Sequence, residues 1–227
     1  MREADVRIDS AAEAAASDMS RDGHSLLYLA DARTKTLLGL TAFSDVVKPT
    51  SRDAVSALRG MGVSVILLSG DTKAASDAVA KEIGIDMVAA GVLPDEKDSY
   101  VRELKSQGPV AMCGDGVNDA AALARADVGI AIGSGTDIAL ETADVVLLRN
   151  DPRDIVTALK LSRAVLRNIK LNLFWAFFYN VCGIPIAAGA LYLPLGWQMN
   201  PALGTAAMAL SSLFVVTNAL RLRRFKA

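Results

Sequence analysis

Residues 110–132 read VAMCGDGVNDAAALARADVGIAI, and this stretch decides the fold class. A short apolar run, Val110–Cys113, leads through a turn rich in Gly and Asp into a helix-like segment and a second apolar run, Val128–Ile132. The same order occurs upstream, where an apolar run at Val63–Leu68 precedes helical spacing over Asp71–Ile83. Strands that alternate with helices through short turns predict an α/β domain whose parallel sheet is covered on both faces.

The predicted elements continue around this stretch. A helix is predicted at Val117–Ala126, a short helix at Thr136–Glu141 and a fourth strand at Val145–Leu148. Ligands of open parallel sheets bind beyond the carboxyl ends of the strands. The loops that follow Leu68 and Cys113 are therefore where we expect the chemistry.

The formal net charge of −1 conceals two regions of opposite sign. All 25 acidic residues lie between Glu3 and Asp154, whereas 16 basic residues precede Ile155 and 8 follow it. Residues 1–154 thus carry −9 and residues 155–227 carry +8. The acidic region argues against nucleic acid as a partner. The 52% hydrophobic content excludes a disordered chain, and two cysteines exclude a disulfide-rich secreted scaffold.

Fifty consecutive residues, Leu171–Leu220, carry no charge. As one helix they would extend about 75 Å, whereas the hydrocarbon core of a bilayer is about 30 Å thick. Pro, Gly and Asn residues between 194 and 201 indicate a turn there. We therefore expect transmembrane helices at 171–193 and 203–220, joined by an external loop at 194–202.

Basic residues flank both expected spans, in a segment at 155–170 that we expect to be helical and in the tail at 221–227. The positive-inside rule then places both ends in the cytoplasm, and we expect a plasma or inner membrane protein without a cleavable signal peptide. Trp197 and Tyr192 suit the opposite interface. The alternative, an apolar helical pair inside a large soluble protein, leaves the basic flanks unexplained. These flanking residues are Lys160, Arg163, Arg167, Lys170, Arg221, Arg223, Arg224 and Lys226.

Two loops carry polar groups at helix starts. Ser69-Gly70-Asp71-Thr72 offers a hydroxyl and amide groups at a helix N-terminus, which suits an anion. In Gly114–Asp119, the carboxylates of Asp115 and Asp119 lie four residues apart and suit Mg²⁺. Helix capping is the alternative interpretation of each loop. Lys97, in a Pro-Asp-Glu-Lys sequence between the loops, is either a solvated surface lysine or a point charge opposite a phosphate.

Together these elements resemble the haloacid dehalogenase-type phosphotransferases. The resemblance is closer to the P-type ATPases that pump heavy metals, specifically the copper(I)/silver-exporting branch. It rests, in chain order, on residues 45–51 (DVVKPTS), the Ser-Gly-Asp loop, the Pro-Asp-Glu-Lys sequence, residues 114–137 and the hairpin, and it covers the chain from about Gly23 onward. It implies a Rossmann-type, haloacid dehalogenase-like phosphorylation domain followed by an α-helical transmembrane hairpin.

The resemblance implies roles for the loop residues. Asp115 would coordinate Mg²⁺, with Asp119 as the second candidate ligand, and Asn118 would help to order the site. Asp45 would lie near the hinge to the nucleotide domain, and ATP would be the substrate of the intact pump. Phosphate binding and charge neutralisation would fall to Ser69, Gly70, Asp71, Lys97 and Asn118.

In the hairpin, this branch is distinguished by Tyr-Asn in the first span and Met-x-x-x-Ser in the second. Tyr179, Asn180, Met208 and Ser212 are thereby implied as the transmembrane Cu⁺ or Ag⁺ site. A soft thioether suits Cu(I). Taken singly, Tyr179, Met208 and Ser212 could each be a packing residue. Asn180 is harder to explain in this way, because burying a polar amide at the middle of a membrane span costs free energy. Zinc-type relatives carry a charged residue in this region, which the expected spans lack. Cys182 matches no motif position and is expected to be structural.

The chain departs from the family pattern at its nucleophile. No Asp-Lys-Thr-Gly-Thr string occurs, His24 is followed by Ser rather than Pro, and no Cys-Pro-Cys sequence is present. The resemblance therefore implies the C-terminal part of a pump. It comprises a remnant of the nucleotide-binding domain at 1–43, with 1–22 unassigned, and the phosphorylation domain at 44–154. We expect Ala11–Ala16 to be helical and on the surface.

The expected function is a share in ATP-driven Cu⁺ or Ag⁺ export through an aspartyl phosphate. The partners would be the membrane and the missing N-terminal part of the pump. Without the nucleophile, the chain should not turn over alone. Two alternatives remain. One is a non-enzymatic, membrane-anchored regulator or partner of a full-length pump. The other is a membrane-anchored phosphatase, which would need an Asp-x-Asp nucleophile that the sequence lacks.

Overall fold

A computed structural model describes residues 8–21, 25–43, 46–115, 118–133, 141–197 and 200–225. The chain divides into two compact units, the first ending at Val156 and the second beginning at Thr157. The strands, all in the first unit, are β1 (Ser25–Asp31), β2 (Thr36–Phe43), β3 (Ile66–Leu68), β4 (Met87–Ala89), β5 (Ala111–Gly114), β6 (Val128–Ile132) and β7 (Val145–Leu147). Its helices are α1 (Ser10–Arg21), α2 (Ser51–Gly60), α3 (Lys73–Ile83), α4 (Pro94–Lys105) and α5 (Ala120–Arg125).

Parallel strand pairing in the α/β unit, predicted from the sequence, is confirmed. β3 pairs with β4, and β5, β6 and β7 form a three-stranded parallel sheet in that order. β1 and β2 form an antiparallel hairpin, which was not predicted. Among the described residues, β3 and β5 each have a paired strand on one side only.

Several element boundaries follow from local contacts. β6 covers the residues predicted for it, and β5 and β7 differ by one residue. β3 begins later than Val63, because the amide of Val63 donates to the carbonyl of Leu58 at 3.1 Å and belongs to the turn that ends α2. Gly62, at φ +78°, supplies the left-handed residue of that turn. The short helix expected at Thr136–Glu141 lies outside the described residues except for Glu141, which is helical.

Three further elements, α2, β4 and α4, were not predicted. α1 confirms the helix expected around Ala11–Ala16, but its exposure is incomplete, because Ala16 is buried and α1 contacts β1, β2 and α3. The core near β3 and β4 is formed by Val55, Ala80, Ile83 and Ile85, packed against Val47, Val65, Leu67, Val79 and Val88.

A second group of buried contacts packs α5 against the sheet of β5, β6 and β7. Leu123 of α5 is 1% exposed. A Cβ atom added to Gly129 of β6 would lie 2.7 Å from the carbonyl oxygen of Leu123, so only glycine permits α5 to approach β6 this closely. The amide of Gly129 also donates to Asp144 at 2.8 Å, which ties β6 to the residue before β7. These contacts hold the carboxyl end of β5 beside the start of α5.

The second unit is helical. α6 (Arg153–Ala187) begins in the first unit and is one continuous helix of 35 residues. It therefore includes both the basic segment and the first apolar segment, and it ends before residue 193. Gly189, at φ +94°, lies in the turn that follows. Next come α7 (Tyr192–Leu195), α8 (Pro201–Leu220) and a 3₁₀ turn at Arg221–Arg224.

α8 begins two residues earlier than the expected span. Pro201 is its first residue, where a missing amide proton costs nothing. The side chain of Asn200 caps the helix by accepting from the amide of Ala202 at 2.9 Å. The stretches Arg153–Ala187 and Ala202–Arg224 are long and apolar enough to cross a membrane, by length and composition.

Candidate functional site

The Ser69–Asp71 loop at the carboxyl end of β3 is closed by its own polar groups. The hydroxyl of Ser69 donates to Asp71 Oδ2 at 3.0 Å, and the amide of Asp71 donates back to Ser69 Oγ at 3.1 Å. The cap of α3 is Thr72, whose Oγ1 accepts from the amide of Ala75 at 3.4 Å. Helix capping in this loop is therefore performed by Thr72, and the side chain of Ser69 takes no part in it.

Backbone hydrogen bonds attach this loop to the segment that follows β4. The amide of Ser69 donates to Ala89 at 2.9 Å, the amide of Gly91 to Asp71 at 2.8 Å, and the amide of Val92 to Ser69 at 3.0 Å. Gly91 adopts φ +69°, a conformation that favours glycine. The loop after β3 is thus held against the residues that lead directly into α4.

The start of α4 positions Lys97. Pro94 is the first helical residue, and the amide of Leu93 donates to Glu96 Oε2 at 3.0 Å. Lys97 follows in the first turn, and its Nζ lies 2.6 Å from Asp119 Oδ1. The two side chains are only 13% and 14% exposed, respectively. The interpretation of Lys97 as a solvated surface lysine is therefore wrong.

Asp119 precedes α5 without capping it. It occupies the N-cap position at φ −111° and ψ 4°, and its side chain makes no capping hydrogen bond. Its carboxylate instead lies against Gly114, where an added Cβ atom would come within 2.5 Å of Asp119 Oδ2. Capping therefore does not explain Asp119, and Gly114 is required for its approach. Burial, helped by the charge of Asp119, raises the pKa of the Cys113 thiol to about 12, so this cysteine is no nucleophile at neutral pH.

The donor set at the end of β5 fits Mg²⁺. Asp115 and Asn118 are exposed, and Asp119 lies between Gly114 and Lys97. The described residues contain no group of three or more His, Cys, Asp or Glu side chains that could hold a metal ion. Mg²⁺ does not need such a cage, because it keeps several waters and binds through one or two carboxylates.

A cavity of about 240 Å³ opens beside the Ser69–Asp71 loop. Lys48 lines it, and its Nζ donates to the carbonyl oxygen of Asn150 at 3.0 Å. Ser76 also lines it, is 2% exposed, and has a hydroxyl without a hydrogen-bond partner among the described residues. A buried hydroxyl without a partner is costly unless a ligand or water satisfies it. The sequence analysis missed Ser76, although it is the one polar residue on the buried face of α3.

The four transmembrane candidates lie on α6 and α8 without joining. Asn180 Nδ2 donates to the carbonyl of Ala176 at 2.7 Å, and Ser212 Oγ donates to the carbonyl of Met208 at 3.4 Å. Met208 is 68% exposed and Tyr179 is half-buried. Among the described parts of the two helices, no hydrogen bond connects the Tyr-Asn pair with Met208 or Ser212. The expected positions of Asp45 and His24 lie outside the described residues.

Comparison with known families and proteins places this geometry in context. Residues 6–127 match the haloacid dehalogenase-like hydrolases. The chain is 53% identical over 188 residues to a copper-exporting P-type ATPase of Vibrio cholerae, covering 82% of the chain and 20% of that protein. It is 48% identical over 224 residues to a silver exporting P-type ATPase of Salmonella typhimurium, covering 98% of the chain and 27% of that protein. The chain thus spans about a quarter of the length of these relatives.

A solved structure is similar over both units. A zinc-transporting PIB-type ATPase in the E2.Pi state superimposes with a TM-score of 0.77 at 34% identity, covering 94% of this chain and 34% of that protein. This likeness supports the predicted order of a haloacid dehalogenase-like α/β domain followed by two long apolar helices.

Proposed function

The chain belongs to the haloacid dehalogenase-like hydrolase family, and from this premise we propose that it forms the phosphate- and Mg²⁺-binding part of a metal-transporting P-type ATPase, together with two of its membrane helices. The observation that carries the proposal is the linked path from the Ser69–Asp71 loop through Gly91 and Val92 to Lys97 and Asp119. It connects three separate sequence motifs within a single unit, which supports a shared role in phosphate chemistry.

Each group has a distinct task in this proposal. The hydroxyl of Ser69 and the amide of Gly70 would donate to phosphate oxygens, because they lie where β3 ends and α3 begins. Lys97 would offset the charge of the transferring phosphoryl group, and Asp119 would hold its ammonium in place. Asp115 would bind Mg²⁺ with help from Asp119. Mg²⁺, when bound, would supply further positive charge to the phosphoryl oxygens.

The nucleophile would come from another segment of the pump, since no Asp-Lys-Thr-Gly-Thr string occurs in these 227 residues. Within the described residues β3 and β5 each lack a neighbour on one side, and both are short, with three and four residues. A strand supplied from elsewhere in the pump would pair with these free edges. Its phosphorylated Asp would then meet the loops that follow β3 and β5, with ATP as the substrate of the whole protein.

Copper(I) or silver is the proposed cargo. Met208 offers an exposed thioether, and the hydrogen bonds described for Asn180 and Ser212 go to carbonyls of their own helices. These groups would face further transmembrane helices that complete the ligand set. The uncharged spans favour a monovalent soft ion over Zn²⁺, although a zinc pump shares the fold. By the positive-inside rule, both basic ends of the hairpin would lie in the cytoplasm.

A chimaera tests the proposal directly. The chain would replace the matching segment of the Salmonella typhimurium relative, with which it aligns over 98% of its length. We expect metal-stimulated phosphorylation by ATP with Cu⁺ or Ag⁺. Lys97→Met and Asp115→Ala should abolish phosphorylation by both ATP and inorganic phosphate. Met208→Ala should reduce the metal-stimulated reaction and leave phosphorylation by inorganic phosphate intact.

The outcomes separate the parts of the proposal. Stimulation by Zn²⁺ but not by Cu⁺ or Ag⁺ would refute the proposed cargo. Full activity of Lys97→Met would refute the phosphate site. Equal loss of both reactions in Met208→Ala would show misfolding rather than loss of a metal ligand. Lys81→Met, which removes an exposed lysine from α3, is the matched control and should behave like the unmodified chimaera.

A further inference from the structure

A cavity of about 510 Å³ lies between α6 and the end of α8 in the second unit. Most of its lining residues precede the first uncharged segment or follow the second, and Leu171 and Asn218 lie just inside these segments. The cavity therefore lies at the end of the hairpin where both basic flanks meet. Its lining combines arginine side chains, apolar side chains and the amides of Asn168 and Asn218.

The lining of this cavity has a high positive charge, because four of its residues are arginines. No Asp or Glu side chain occurs from residue 155 onward, so all acidic side chains of the chain belong to the first unit. Arginine binds phosphate through a planar fork of donors and stays charged at any physiological pH. The cavity thus presents a set of groups that suit a phosphate. These groups are Arg163, Arg167, Arg221 and Arg224.

The walls of the cavity are held in place by a buried amide. Asn218 of α8 is 7% exposed, and its Nδ2 donates to Asn168 and, at 2.7 Å, to Asn172 of α6. Arg221 Nη1 also donates to Asn218 Oδ1 at 3.5 Å. One residue thus bridges two turns of α6 and contacts one of the arginines. These hydrogen bonds connect the two helices that form the walls of the cavity.

The apolar lining decides which anion fits. Ala164, Leu171, Leu222 and Phe225 lie beside the arginines, and Leu171 begins the uncharged stretch. A small soluble anion would leave these groups without a partner, whereas a lipid presents a phosphate next to hydrocarbon. We propose that this cavity binds the phosphate headgroup of an anionic phospholipid, an inference that rests on the membrane placement proposed above.

Lipid binding by the full chain tests this inference. The chain would be purified in detergent and titrated with phosphatidylglycerol, phosphatidylcholine or soluble glycerol phosphate, and bound lipid would be counted by native mass spectrometry. We expect phosphatidylglycerol to bind more tightly than either of the others. The double substitution Arg167→Gln with Arg224→Gln should weaken this binding roughly 25-fold, at about fivefold per arginine.

A second double substitution controls for the loss of two positive charges. Lys170→Gln with Arg223→Gln removes one cation from each flank, outside the cavity, and should weaken binding less than threefold, since the cavity stays intact. Equal weakening by both pairs would overturn the cavity assignment in favour of diffuse surface charge. Equal affinity for glycerol phosphate would overturn the lipid assignment. Circular dichroism of each variant checks that the helices persist.

Membrane retention separates this inference from the proposed function. A chain that resists alkaline extraction from membranes, yet shows no preference for phosphatidylglycerol, would refute the lipid site alone. A chain released by alkaline extraction would refute the membrane placement and the lipid site together. Phosphate chemistry in the first unit would be unaffected by either result.

Discussion

The two units differ in the partners of several of their polar side chains. In the α/β unit, ion pairs join different elements: Lys97 with Asp119, Arg125 with Asp98, and Lys105 with Asp127. In the helical unit, Asn180, Ser212 and Thr217 each donate to the backbone carbonyl four residues earlier on their own helix.

This difference reflects the surroundings proposed for each unit. Ion pairs between elements suit a protein in water, where unpaired charges also stay solvated. Helices in a bilayer must satisfy polar groups internally, because hydrocarbon offers no hydrogen-bond partner. Asn218 differs from these three residues, since it bonds across to α6. We therefore expect the loss of the Lys97–Asp119 ion pair to have the largest effect on the stability of the α/β unit. In the helical unit, we expect the largest effect from the loss of the hydrogen bonds of Asn218.

The largest effect is expected for Lys97→Met in the isolated chain. This substitution leaves the 14% exposed carboxylate of Asp119 without its cation, and breaking such a buried pair should cost about 3 kcal/mol. Hydrogen exchange at the amides of α4 and β5 should report the loss. Lys81→Met, at an exposed position of α3, is the control. If both variants exchanged alike, the ion pair would not stabilise the unit.

Gly114→Ala should come next. The added methyl group would lie 2.5 Å from Asp119 Oδ2, so the carboxylate must move away from Lys97, at a cost of about 2 kcal/mol. Thermal unfolding of the α/β unit, with hydrogen exchange of the β5 amides as the readout, measures the loss of stability. Gly39→Ala, where no atom lies within 4 Å of the new Cβ, is the matched control. An unchanged β5 in Gly114→Ala would contradict the close approach.

In the helical unit, Asn218→Ala should weaken the contact between α6 and α8 by about 1 kcal/mol, because it removes both hydrogen bonds to α6. The separation of α6 from α8 would be followed in an SDS titration by the fluorescence of Trp175, whose ring lies 5.7 Å from that of Phe214. All variants would also carry Trp197→Phe, so that Trp175 is the remaining tryptophan. Thr217→Ala removes a bond within α8 alone and should change the midpoint less. The reverse order of the two variants would show that Asn218 does not join the helices.

The smallest effect is a pH dependence in the α/β unit. The hydrogen bond from Arg125 holds the pKa of Asp98 below its ordinary value. A lowered pKa in the folded state adds stability that is present above the unfolded pKa, about 4, and is lost as pH falls toward the folded pKa. Asp98→Asn should therefore flatten the decline in stability below pH 4. Asp95→Asn, on the same helix, is the control, and an equally flat profile there would exclude the Arg125 contact as the cause.

The sequence predicted the parts of the α/β unit that depend on local patterning. Val128–Ile132 is a strand as predicted, because an apolar run of only five residues fits the length of a strand better than that of a helix. Val63 was misassigned, because its amide completes a turn with Leu58 that apolar character does not reveal. Ser76 was missed for a related reason. Its hydroxyl matters only because packing buries it without a partner among the described residues.

The sequence by itself determined the parallel α/β character, the uncharged segments and the positions of the three motifs that we propose to bind phosphate, since periodicity, charge and motif spacing are properties of neighbouring residues. Only the tertiary structure decided that Lys97, 22 positions away, pairs with Asp119, and that Asn218 bridges to Asn168 and Asn172. Such pairings depend on which elements pack together. That choice is made by burial and by close approaches such as Gly114 against Asp119, which distant sequence positions do not record.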